Sequence, residues 1–126
     1  MDILGIVIGV AAADAANLGI FNRRMWTDQI TAIQKAPPQW RYMGALLAYI
    51  LLVAGIKFFV VDPVRQDRTK SLWLHAVLFG LVVYGVFDFT NLAIFNDYTW
   101  TTALTDLAWG IANTCLAVYL AVALSP

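Results

Sequence analysis

The chain has 126 residues, 61% of them hydrophobic and 13% charged, with a formal net charge of zero. Soluble domains carry roughly 45–50% apolar and about 25% charged residues, and a domain this small leaves too much of its surface exposed to hide such a surplus from water. The lack of an acidic or basic tail argues against nucleic acid as a partner, and a lone cysteine, Cys115 in an apolar run, allows no intrachain disulfide.

Four runs are long enough to span a bilayer, which takes roughly 20 apolar residues at about 1.5 Å each. They are about Ile3–Phe21, Tyr42–Val61, Leu72–Phe95 and Ala103–Leu124. A soluble four-helix bundle would need polar faces, and Leu46–Ile56 offers none. The expectation is therefore an all-α, multi-pass integral membrane bundle of four transmembrane helices, a single domain over residues 1–126 surrounded by the lipid bilayer.

The first run is rich in small residues. Gly5 and Gly9 form a small-xxx-small pair, which lets membrane helices approach closely, so this helix is expected to be packed and central. Its start carries Asp2 and no Lys or Arg, which is wrong for a secretory signal, and the helix is expected to be retained. Asp14 and Asn17 lie three apart, on one face. In residues 22–41, Met25, Trp26, Ile30 and Ile33 recur near helical spacing between polar residues. That fits either a short interfacial helix with Trp26 and Trp40 at headgroup depth or a polar loop. Pro37 and Pro38 end any such helix.

The second run is nearly uniform hydrocarbon, relieved by Tyr49, until Lys57, which is near enough to its end to snorkel. Asp62–Ser71 reads as a charged loop opened by Pro63. The third run begins with Trp73 and His75, the latter a boundary histidine rather than a proton relay. The fourth carries Asp106, Trp109, Gly110, Asn113 and Thr114 near its start, and is then plain lipid-compatible helix.

Residues 14–27 and 88–101 match without gaps at eight of fourteen positions, including an Asp, two Asn and a Trp in register. Apolar composition alone does not produce that. The chain reads as a duplicated two-helix hairpin, about 1–61 and 72–126, with parallel repeats. Asp14 and Asp88 then sit at matching depth, about 12 Å inside the boundary by helix rise, and Asp106 reaches a similar layer from the same side. Each aspartate costs roughly 2.5–3.5 kcal/mol if it faces lipid. The three must therefore face the bundle interior, a water-filled cavity or one another, and carboxylates sharing such a site cannot all ionise cheaply. Asn17, Thr90, Asn91, Thr105 and Asn113 are the available hydrogen-bond partners, and Trp109 lies beside them. This polar layer is either a working site or a clamp that fixes helix register. The loops on the two sides each carry four Lys or Arg and so set no orientation.

The combination Asp14-x-x-Asn17-Leu18-Gly19, Asp88-x-Thr90-Asn91-Leu92 and Asp106-x-x-Trp109-Gly110 resembles domain-of-unknown-function family 2177, small bacterial and viral membrane proteins. The resemblance covers essentially the whole chain and implies a four-helix membrane fold without an assigned activity. In that family the position of Asn17 is usually aromatic. The departure here makes the two halves more alike.

Three functions compete. The aspartate layer binds or conducts a proton, a cation or a polar headgroup, since intramembrane carboxylates are functional candidates by default. Alternatively, the chain is a structural or accessory subunit, packing against a membrane-protein partner or a second copy through the small-residue face of helix one. The third, a lipid-modifying enzyme, has paired carboxylates for acid–base work. It lacks a His cluster, metal-spaced ligands, a nucleophile motif and a phosphate loop, so no catalytic residue, metal or cofactor is assigned.

Overall fold

The computed structural model describes residues 2–124 and is built of helices, with no strand among the described residues. Helix α1 spans Asp2–Ala16 and runs on through a π-helical turn at Asn17–Phe21. The widened turn brings residues five apart over one another. The Asn17 carbonyl accepts from the Asn22 N–H at 2.8 Å, and Asn17 Oδ1 accepts from Asn22 Nδ2 at 2.7 Å. Such turns interrupt α-helices mostly as single turns.

The segment that could be read as helix or loop is helix α2, Arg23–Gln34. Met25, Trp26, Ile30 and Ile33 are half-buried on one side, and Arg23, Arg24, Thr27 and Asp28 are exposed on the other. It stops at Lys35, whose left-handed backbone (φ 60°) lets its N–H close on the Thr31 carbonyl at 2.9 Å.

Helix α3 covers Tyr42–Ile56 and passes through a second π turn, Lys57–Val61, into α4, Asp62–Gln66. The expected loop at Asp62 is thus helical. Pro63 falls in the first turn of α4, where a missing N–H is tolerated. Lys57 does not simply snorkel: its Nζ reaches Asp62 Oδ2 at 2.8 Å, the five-residue spacing that the π turn favours.

Helix α5, Leu72–Ile94, is capped by Ser71 Oγ, which accepts from the Leu74 N–H at 3.2 Å. Helix α6, Trp100–Ala123, is capped by Thr99 Oγ1, which accepts from the Thr102 N–H at 3.1 Å. At the start of α5, His75 Nδ1 lies 2.8 Å from the Ser71 carbonyl, a local boundary contact. Four stretches are long and apolar enough to cross a membrane: Ile3–Phe21, Tyr42–Gln66, Leu72–Ile94 and Trp100–Ala123.

The centre of the bundle is α6 rather than α1. Over its most apolar window 39% of α6 is buried, against 33% for α1 and 17% for each of the other two spans. On one side α6 runs antiparallel to α1 through a seam of small residues. A Cβ placed on Gly5 would lie 2.6 Å from the Ala121 Cα, and one on Gly9 would lie 2.5 Å from the Ala117 Cα. On the other side α6 runs antiparallel to α5, where Gly80 meets Ile111 and Gly85 meets Leu107. Helices α1 and α5 therefore point the same way.

The interior is divided along the bundle's length. Ile6, Val10, Ile56, Val60, Val61, Ala76, Ala117, Val118 and Ala121 form a dry core at the end that holds the start of α1 and the end of α6. The buried polar residues Asn17, Asp88, Asp106 and Asn113 lie in the other half. Outward-facing Leu46, Ile50, Leu51, Phe58 and Phe59 are exposed, as lipid contact requires.

Candidate functional site

Asp88 lies six residues before the end of α5, and Asp106 six residues after the start of α6. An antiparallel pair with those offsets brings both to one layer, about 9 Å of helix rise from the connecting loop. Asp88 is fully buried and Asp106 is 6% exposed. Asp88 Oδ1 accepts a 2.6 Å hydrogen bond from the Tyr98 hydroxyl. Its other oxygen is buried without a hydrogen-bond donor, and the Asp88 and Asp106 carboxyls lie within hydrogen-bonding reach of each other. Two carboxyl oxygens can be joined there only through a proton or a cation.

Tyr98 stands in the loop between α5 and α6 yet is 6% exposed, because the loop folds back and drops the ring into the bundle. Burial, and then the bond to Asp88, raise its hydroxyl above the usual phenol range. Asn91, one turn from Asp88 toward the loop, contacts the same hydroxyl.

Asp14 is placed differently from the one-layer expectation. Its Oδ1 accepts from Asn113 Nδ2 at 2.8 Å, and the Tyr49 hydroxyl of α3 faces the same carboxylate. Asn113 is seven residues beyond Asp106, about 10 Å further along α6. The helix seam sets this offset: Gly5 opposite Ala121 and Gly9 opposite Ala117 lead in register to Asp14 opposite Asn113. The structure thus builds two adjoining stations in place of one ring. Between them lies Tyr84, one turn before Asp88 on the same face of α5. Its ring occupies the space a side chain at Gly110 would need, and the hydroxyl lies within electrostatic range of Asp14, Asp106 and Asp88. Asn113 Oδ1 is buried without a partner.

The remaining sequence-derived candidates lie outside this constellation. Thr90 is exposed, because two residues along an α-helix from Asp88 is the opposite face. Asn17 is buried, with Asn22 as the hydrogen-bond partner of its side chain. Trp109 is half-buried and stacks on Phe21, with ring centroids 5.6 Å apart. Tyr84 and Tyr98 escaped the sequence reading. Tyr84 had a usable signal, its four-residue spacing from Asp88. Tyr98 had none, since nothing local says that a loop tyrosine turns inward. Among the described residues no three His, Cys, Asp or Glu side chains group closely enough to hold a metal ion.

The chain belongs to the family described as predicted membrane protein (DUF2177), whose profile matches residues 1–123. No curated protein and no solved structure matches it. With four spans of sufficient length and apolarity, it is an integral, multi-pass membrane protein in contact with the lipid bilayer.

Proposed function

We propose that this protein binds and exchanges a proton inside the membrane, at the Asp88–Asp106 carboxyl pair. One observation carries the reading: a fully buried carboxylate has one oxygen held by Tyr98, the other without a donor, and a second buried carboxyl within hydrogen-bonding reach. Two like charges in contact in a low-dielectric interior repel strongly, and a shared proton removes the repulsion while making a short hydrogen bond. A chelated metal would need more ligands than converge here. Asp14 with Asn113 and Tyr49 forms a second polar station, and Tyr84 is the side chain that touches the surroundings of both. For the accessory-subunit alternative, the Gly5 and Gly9 face of α1 is occupied by α6, which leaves a partner the exposed side that carries Ala11, Ala12 and Ala15.

The test is labelling with dicyclohexylcarbodiimide, a hydrophobic reagent that adds the O–H of a protonated carboxyl across its N=C bond and rearranges to a stable acylurea. The folded protein in detergent at neutral pH is expected to take the label at Asp88 or Asp106, located by peptide mass spectrometry. If neither aspartate is labelled, the pair holds no proton and the reading fails.

A further inference from the structure

Resting on that reading, we infer that Tyr98 is the access element of the carboxyl pair, and that Gln29 of α2 is the positioning residue that keeps it closed. At the opposite end of the bundle, among the described residues, Ile6, Val10, Ile56, Val60 and Val118 pack as an apolar core between the pair and water. The near side is the end of the α5–α6 hairpin, and there the Tyr98 ring fills the way to Asp88.

Beyond its bond to Asp88, the ring is kept in place by a third helix that holds its loop. Gln29 is 5% exposed, on the buried side of an otherwise surface helix. Its Nε2 donates to the Asp97 carbonyl at 2.7 Å, and its Oε1 accepts from the Thr99 N–H at 2.9 Å. Those are the backbone groups on either side of Tyr98. The amide thus imitates a strand neighbour and fixes the loop across Tyr98. The Thr99 hydroxyl, which also caps α6, approaches the same oxygen at 3.3 Å. A buried glutamine satisfied at both ends by a segment nearly seventy residues away is a specific latch, since losing it removes both bonds that hold the loop backbone on either side of Tyr98. By contrast, the Lys35–Asp97 ion pair on the same loop, at 3.5 Å, joins two exposed side chains and adds little. Water and protons therefore reach the pair when α2 releases the loop and Tyr98 swings outward. Asp88 cannot exchange while Gln29 is engaged.

Two carbodiimides separate this from the parent reading. The hydrophobic reagent reports whether the pair holds a proton. A water-soluble, charged carbodiimide reports whether the aqueous phase can reach it. In wild type the charged reagent should label Asp88 and Asp106 slowly. In Gln29→Ala its rate at these two residues should rise on the order of tenfold, the increase in open population expected when such bonds are removed. Hydrophobic labelling should stay near its wild-type level, and Lys35→Ala should leave both rates unchanged. An unchanged charged-reagent rate in Gln29→Ala, with hydrophobic labelling intact, would overturn the latch. An equal rise in Lys35→Ala would also overturn it, since the loop would then be loosened by any change. Loss of hydrophobic labelling in wild type would instead remove the proton-binding reading itself.

Discussion

Replacing Gly9 by Ala tests whether the α1–α6 seam delivers Asp14 to Asn113. The added Cβ would sit 2.5 Å from the Ala117 Cα, 2.9 Å from its N and 3.2 Å from its Cβ. Carbon atoms rest at about 3.5–4.0 Å, so the two helices must part locally by roughly 1 Å. None of these neighbours is the end of a flexible side chain, and nothing can swing aside. The Asp14–Asn113 bond, 2.8 Å long and one turn further on, would stretch past the limit of a hydrogen bond. Overpacking costs about 1–3 kcal/mol and a lost bond to a charged group about 1.5–3 kcal/mol. The better helix propensity of alanine returns up to about 1 kcal/mol. A net loss of roughly 2–4 kcal/mol follows if the terms partly overlap. The control is Gly44→Ala in α3, where an added Cβ meets nothing within 4 Å and stability should hold or rise slightly. Unfolding in mixed micelles of rising dodecyl sulfate fraction, followed by tryptophan fluorescence, reads both variants. A Gly9→Ala midpoint equal to that of Gly44→Ala would refute the close seam and the register argument built on it.

Two further perturbations have a defined sign. Lys57→Met leaves Asp62, with a side chain 24% exposed, without its 2.8 Å partner, while Lys57→Met combined with Asp62→Asn removes both charges. The single variant should lose about 1–2 kcal/mol, discounted from a fully buried pair because solvent reaches this one, and the double variant should recover most of it in the same unfolding assay. In the loop after α4, the Thr69 hydroxyl and N–H both donate to Asp67 Oδ1, at 2.6 and 3.0 Å, and hold that carboxyl below the usual aspartate range. A depressed folded value means the stabilisation is complete above the unfolded value of about 3.9 and is lost as pH falls through the folded one. The Thr69 amide proton should accordingly keep its bonded chemical shift down to about that pH and lose it below, and Asp67→Asn should flatten the curve.

Hydropathy made the four spans legible because spanning a bilayer is a demand on length and composition, which one sequence states directly. The Gly5–Gly9 pair was legible for the same kind of reason, since small residues four apart mean close contact on one helix face. Depth was not. Counting residues from the helix ends placed Asp14 level with Asp88, but an antiparallel seam obeys pairwise contacts, and the one starting at Gly5 and Ala121 sets Asp14 opposite Asn113, short of the level of Asp106. The start of α6 also moved: Thr99 caps it and adds Trp100–Thr102 to the helix, turning polar residues that looked like loop into its first turn. Thr90 could have been set aside from helix geometry alone, whereas Tyr98 and Gln29 depend on how a loop and a surface helix meet, which no local pattern encodes.

The matching segments 14–27 and 88–101 sharpen that distinction. Their aspartates are in register, yet the two carboxylates keep different company, and the difference can be traced to positions that do not match. Where the second segment has Tyr98, the first has Arg24, an exposed residue paired loosely with Asp28 at 3.9 Å. Opposite Asp88 stands Asp106; when Leu107-Ala108-Trp109 is set against Leu47-Ala48-Tyr49, the place of Asp106 falls on Leu46, which is 54% exposed on the outer face. Arg24 stays at the surface, 96% exposed, so no donor from this position reaches Asp14. A leucine offers no second carboxyl. Asp14 is left to find a neutral amide, Asn113, across the seam, while Asp88 has a phenol above it and an acid beside it. On the proposed reading, Asp88 alone of the two has a second carboxyl with which to share a proton, and introducing Asp at Leu46 should place a carboxyl in lipid contact rather than create a second pair.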